Sequence, residues 1–269
     1  MEIPILHIDA FTSEPFKGNP AAVCLLDETR PAEWMQKVAA EMNLSETAFV
    51  VPRQDGGLDL RWFTPKIEVP LCGHATLASA HALWETGRLA QDKEARFHTL
   101  SGSLIARRDC DRIEMDFPAL FANRAELPKA VEEALDIKPL AVVANRRKDG
   151  SDGNFLVELE SESAVREVRP DFEKLRRAVD VGVIITARGD SKYDFVSRYF
   201  ACHAGIDEDP VTGAAHCMLA PYWAAKLGKD ALSAYQASAR GGEVSVTFSG
   251  ARVILGGAAT TVLRGSLLC

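Results

Sequence analysis

The chain has 269 residues, 26% of them charged and 47% in the hydrophobic set, a balance that builds folded domains and excludes disorder over most of the length. With 31 basic against 38 acidic residues the net charge is −7, so no basic field gathers nucleic acid or anionic lipid. Six cysteines without a C-x-x-C pair read as reduced thiols, and the start Met1-Glu2-Ile3-Pro4-Ile5, with no positive n-region and no apolar run near the ~20 residues of a membrane span, predicts a cytoplasmic protein without a membrane partner.

In chain order, hydrophobic alternation predicts strands at 5–11 and 22–26, then a surface helix at 31–42 opened by Pro31, with Trp34, Val38 and Met42 on one face. Strands follow at 47–51 and 58–63. Residues 74–86 are rich in alanine and end at Gly87, which predicts a helix apolar on most sides and therefore buried. A strand at 113–117 precedes the polar loop 146–154, read as a solvated turn without function. A helix at 171–180 and strands at 181–185 and 195–200 lead to a second apolar helix, 214–227, which ends at Gly228 and contains Pro221, expected to kink it. The last predicted strand is 243–248.

A repeat organises these elements. Pro70-Leu71-Cys72-Gly73-His74-Ala75 aligns with Pro210-Val211-Thr212-Gly213-Ala214-Ala215 at an offset of 140, and Arg61-Trp62-Phe63 aligns with Arg198-Tyr199-Phe200 at an offset of 137. The second copy therefore carries three extra residues before its P-x-x-G turn, within the stretch 205–209. The expected architecture is α+β: a curved mixed sheet wrapped round one buried helix, made twice. Pro118, Asn123 and Pro128 place the boundary near residues 118–128, dividing the chain into 1–122 and 123–269.

If the halves are related by a pseudo-twofold, both buried helices present their N-termini, at Gly73 and Gly213, to a shared cleft, where about half a positive charge and unpaired N–H groups suit a substrate carboxylate. Tight turns capped by Thr212 or Asp209 are the ordinary alternative. Glu46 projects, by alternation, with Leu44, Ala48 and Val50 from an apolar strand face, where desolvation would raise its pKa toward that of a general base; a strand-entry glutamate reaching water is the plainer reading. Asp209 reads equally as an N-cap before Pro210 or as a carboxylate holding a substrate amine or hydroxyl. His74 could donate to a bound carboxylate, shuttle a proton or be structural. Cys72 at a helix start suggests a thiolate base, but the matching position is Thr212, which argues against a two-thiol racemase. Neither metal spacing nor a nucleotide-binding glycine motif is found, so no metal and no cofactor are expected.

These residues resemble the PhzF-like family, the phenazine-biosynthesis isomerase and its relatives, within the diaminopimelate-epimerase-like fold. The matching segments are 9–12 with 18–23, Asn43 to Phe49, Arg61 to Pro65, Cys72 to Thr76, 115–118, 208–213 and 240–243, in order along nearly the whole chain. The resemblance implies two pseudo-symmetric halves and cofactor-free isomerisation of a small anionic carboxylic acid by a homodimer. It also implies Glu46 as the acid/base, substrate binding by Gly73, His74 and Gly213 at the helix starts, and Asp209 as the other catalytic residue, contacting the substrate opposite. The family often has serine after the glycine of the second turn, where this chain has Ala214; a hydroxyl donor is missing from that substrate-binding position. A Cys72-dependent epimerase and a catalytically silent binding protein of the same fold are the alternatives.

Overall fold

A computed structural model describes residues 2–190 and 192–268. It divides into two compact units, Met1–Phe117 with Leu255–Cys269, and Pro118–Ile254.

The first unit contains strands Ile3–Ala10 (β1) and Asn19–Leu25 (β2), helix Ala32–Met42 (α1), and strands Glu46–Pro52 (β3), Leu58–Phe63 (β4) and Glu68–Val69 (β5). Helix Gly73–Glu85 (α2) and strands Ala95–Thr99 (β6), Gly102–Asp109 (β7) and Arg112–Pro118 (β8) follow. β1 and β2 are antiparallel, β2 and β3 parallel, β3 and β4 antiparallel, β4 and β6 parallel, and β6–β7–β8 antiparallel. Each parallel step needs a crossover, which α1 and α2 supply. Met35, Val38 and Ala39 of α1 cover the face of the sheet that carries Cys24, Phe49 and Val51. α2 packs against β1, β2 and β3, and ten of its thirteen residues are buried. Its alanines allow the close helix–sheet approach that bulkier residues would prevent.

The second unit repeats this order. Asn123–Arg124 (β9), helix Lys129–Leu135 (α3), Ala141–Arg146 (β10), Asp152–Glu158 (β11), helices Glu162–Glu167 (α4) and Phe172–Ala178 (α5), and Val183–Arg188 (β12) lead to Phe195–Phe200 (β13) and Glu208–Asp209 (β14). Helix Gly213–Leu227 (α6) and strands Ala231–Gln236 (β15), Gly242–Ser249 (β16) and Arg252–Gly257 (β17) complete the repeat. β10 and β11 are antiparallel, β11 and β12 parallel, β12 and β13 antiparallel, β13 and β15 parallel, and β15 and β16 antiparallel, the same sequence of senses as β1 through β7. The three extra residues lengthen the connection from β13 to β14, where a 3₁₀ turn occupies Cys202–Ala204. α6 runs through Pro221 as one helix.

The division differs from the expected boundary at 122/123 in two respects: the first unit's leading segment ends at Phe117, and the chain returns to that unit from Leu255. The last strand, Ala259–Leu267 (β18), pairs antiparallel with β1, so the C-terminal residues belong to the first unit. The sequence predicts no strand at β6, β7, β10, β11, β15, β17 or β18; β6 and β15 do alternate in burial, whereas β18 is largely half-exposed or exposed and so carries no two-faced pattern. No helix among the described residues is long and apolar enough to cross a membrane.

Candidate active site

Gly18 enters β2 at φ +63°, and a Cβ there would lie 2.1 Å from the Ala10 carbonyl oxygen; only glycine makes this turn. The turn delivers Asn19, fully buried, to the start of β2. Glu46 opens β3 directly opposite Ala21 of β2, and residues two apart on a strand share a face, so Asn19, Ala21 and Glu46 point the same way. The expected grouping of Leu44 with Glu46 does not hold. Leu44 precedes the strand, after the left-handed Asn43 that ends α1, and packs in the α1 layer.

Onto this face α2 brings its first turn. His74 is buried, and its Nε2 lies 3.2 Å from a Glu46 carboxylate oxygen, with 6% and 14% of the respective side chains exposed. Asn19 Nδ2 sits 3.1 Å from His74 Nδ1, and Cys72 Sγ sits 3.5 Å from the same nitrogen. An amide N–H on Nδ1 makes that nitrogen the acceptor and leaves the proton on Nε2, which donates to Glu46. Burial pushes the His74 imidazole down to about 3. The contact with Glu46 is therefore a hydrogen bond from a neutral ring at neutral pH, not an ion pair. Cys72 is the N-cap of α2 and makes no side-chain cap, so its side chain does not cover the first N–H groups. Glu46, Cys72 and His74 each offer one ligand atom, all within 4.8 Å of one another; they form the one such group of three or more among the described residues, and it was not expected from spacing.

In the second unit Asp209 lies in β14, not in the helix cap, and accepts from the Thr212 hydroxyl. Thr212 is the N-cap of α6 by position, but its side chain caps nothing; the reading of either residue as a side-chain cap fails because the two bond each other. Gln236, fully buried, accepts from Thr212 N at 2.9 Å and donates to the Asp209 carbonyl at 2.7 Å. Gly213 is buried and Ala214 exposed.

The units share their scaffolding and differ in their chemistry. Arg61 holds Glu68 through two hydrogen bonds of 2.7 Å, and Arg198 holds Glu208 at 2.8 and 2.9 Å. Ser101 donates to the Pro70 carbonyl at 2.7 Å and Ser238 to that of Pro210 at 2.8 Å. Thr47 pairs with Phe63 and Val183 with Phe200, so Gly182 occupies the place of Glu46. A Cβ on Gly182 would fall 2.1 Å from the Tyr199 hydroxyl, which covers it. His74 is likewise matched by Ala214.

The family model for phenazine biosynthesis-like proteins, PhzC–PhzF, matches residues 8–265. The chain belongs to this family. It is 48% identical over 270 residues to an uncharacterized isomerase of Halalkalibacterium halodurans, covering 100% of this chain and 99% of that protein. Among solved structures, a PhzF-family phenazine biosynthesis protein of Enterococcus faecalis superposes with TM-score 0.92 at 41% identity, covering 100% of both chains. A probable proline racemase from Agrobacterium radiobacter, 12% identical with TM-score 0.61 over 98% of this chain and 92% of its own, shares the fold alone. This PhzF-like chain thus has the diaminopimelate-epimerase-like α+β fold, and its relative of 48% identity in Halalkalibacterium halodurans is named an isomerase. Asn19 and Gln236 were missed as site residues, although Gly18-Asn19-Pro20 was visible as a matching segment; nothing in the linear sequence ties Asn19 to a histidine fifty-five residues away.

Proposed function

We propose that this PhzF-like protein is a cofactor-independent isomerase that moves a proton between carbons of a small anionic carboxylic acid, with Glu46 as the single acid/base. The observation that carries the reading is the Glu46 carboxylate held 3.2 Å from the neutral ring of His74 at the start of α2, while the equivalent places in the second unit hold Gly182 and Ala214. One base without a matching partner suits removal and return of the proton by the same carboxylate, rather than a two-base inversion. The carbon acid needs its negative charge stabilised as it forms, and the α2 N-terminus with Gly73 and His74 is suited to that. The reading assigns Asp209, Gly213 and Ala214 to substrate contact and, with the implied homodimer, to a cytoplasmic enzyme.

Solvent deuterium uptake tests it. Across a panel of small unsaturated carboxylic acids in D₂O, the protein should label at least one at carbon, and Glu46→Gln should abolish labelling while ligand binding persists. Labelling that survives Glu46→Gln removes Glu46 as the base, and a protein that binds but never labels is a binder.

The 3.5 Å approach of Cys72 to His74 favours a second reading, a Cys72-dependent epimerase. Thiol alkylation that stops labelling, with Cys72→Ala equally inactive, would select it.

A further inference from the structure

We propose that Glu46, Cys72 and His74 form a binding site for a zinc-class divalent cation. A carboxylate oxygen, an imidazole nitrogen and a thiol sulfur are a zinc ligand set, and tetrahedral zinc places such atoms about 3.3 to 3.6 Å apart. Here Glu46 Oε2 and His74 Nε2 are 3.2 Å apart, and Cys72 Sγ and His74 Nε2 are 4.0 Å apart, with all three ligand atoms within 4.8 Å of one another. Closing the triad onto an ion shortens the widest of these separations by no more than about 1.2 Å, within the reach of side-chain rotation. His74 and Cys72 are buried and Glu46 nearly so.

The charges balance on binding. Cys72 releases its thiol proton to solvent, and the thiolate with the Glu46 carboxylate neutralises the dication, so no net charge is buried. His74 shifts its proton from Nε2 to Nδ1 to free the ligating nitrogen. Asn19 then supports the new tautomer by turning its amide, so that the oxygen accepts where Nδ2 had donated. Three protein ligands leave one position for water or a substrate oxygen. The consequence for turnover rests on the reading of Glu46 as the base: a carboxylate committed to the ion takes no proton from carbon, so the metal form is the inactive one.

Cobalt(II) reports the site without any substrate, because a thiolate ligand gives it a charge-transfer absorption that oxygen and nitrogen ligands do not. The full-length protein should bind one cobalt ion with this band, and zinc should displace it. Cys72→Ser should lose the band and weaken zinc by at least about 100-fold, whereas Cys110→Ser, at an exposed thiol elsewhere, should match the parent. Glu46→Gln should keep the band but weaken zinc at least about tenfold, which reads the site even if Cys72→Ser fails to fold. Absence of the band in the parent, or its persistence in folded Cys72→Ser, overturns the proposal. Because the band is independent of catalysis, its presence alongside deuterium labelling that survives Glu46→Gln would overturn the base assignment and leave the metal site standing.

Discussion

Asn19 and His74 meet at 3.1 Å, Nδ2 to Nδ1, and this contact acts with the Glu46 acceptor at Nε2 to keep the ring proton on the nitrogen that faces Glu46. Asn19→Ala removes the donor and leaves the Glu46 carboxylate alone to hold the proton on Nε2. One lost hydrogen bond of about 1 kcal/mol corresponds to roughly a fivefold to tenfold slower deuterium uptake, with substrate affinity little changed. Asn19→Asp should be slower still, since a carboxylate opposite Nδ1 draws the proton away from Nε2. Rates equal to the parent in both variants would show that the contact positions nothing.

The repeated arginine–glutamate clamps differ in burial, and their removal should differ in cost. Arg198 and Glu208 have 9% and 16% of their side chains exposed, and Arg198 also donates to the Val168 carbonyl at 2.7 Å. Glu208→Ala leaves a buried guanidinium without its counterion, a loss of about 3 kcal/mol. Arg61 and Glu68 are 31% and 24% exposed, and Glu68→Ala should cost about 1 kcal/mol or less. Urea midpoints of the two variants measure the ranking; equal shifts would show that burial does not separate the clamps.

Gly18→Ala should cost at least about 2 kcal/mol, from forcing a side chain into the left-handed region and into the Ala10 carbonyl. The same change displaces Asn19, so deuterium uptake should fall with stability. Gly228→Ala, also at positive φ but with nothing near its added Cβ, carries only the conformational part, about 1 kcal/mol. Thermal melts of both variants give the comparison.

Burial pushes His216 down to about 4 from 6.5, with the Thr212 carbonyl acting in the opposite sense. A depressed imidazole pKa means that the unfolded chain binds the extra proton first. The stability is therefore full above about pH 6.5 and is lost as pH falls toward about 4, at up to about 1.4 kcal/mol per pH unit. His216→Asn should flatten the acid side of the stability profile by about one proton. Urea unfolding across that range reads the slope, and an unchanged slope would place the titration elsewhere.

The repeat was legible because glycine and proline fix turns wherever they occur: Pro70 and Gly73 recur as Pro210 and Gly213 at the starts of the two buried helices. The buried character of α2 and α6 was legible in their alanines. Glu46 and His74 were identifiable as candidates one at a time, yet their meeting depends on the parallel register of β2 with β3 and on the path of α2, which no local pattern encodes. Leu44 does not share the face of Glu46 because strand geometry begins only at Glu46, and Leu44 lies in the turn that follows the left-handed Asn43. The cap alternative for Asp209, even in the sequence with substrate contact, follows from Pro210 after it; the pairing of Glu208 and Asp209 with β13 takes the residue into a short strand instead.

The pairing of β18 with β1 sets an order of assembly during synthesis. Residues 118–254, which make up the second unit, emerge from a ribosome before the strand that covers the outer edge of β1. The second unit can complete its sheet first, while β1 waits with an uncovered row of backbone groups. A chain stopped short of residue 259 would keep every residue of the Glu46 cluster and still present that open edge to its neighbours, so premature termination should show itself as aggregation before it shows as a missing catalytic group.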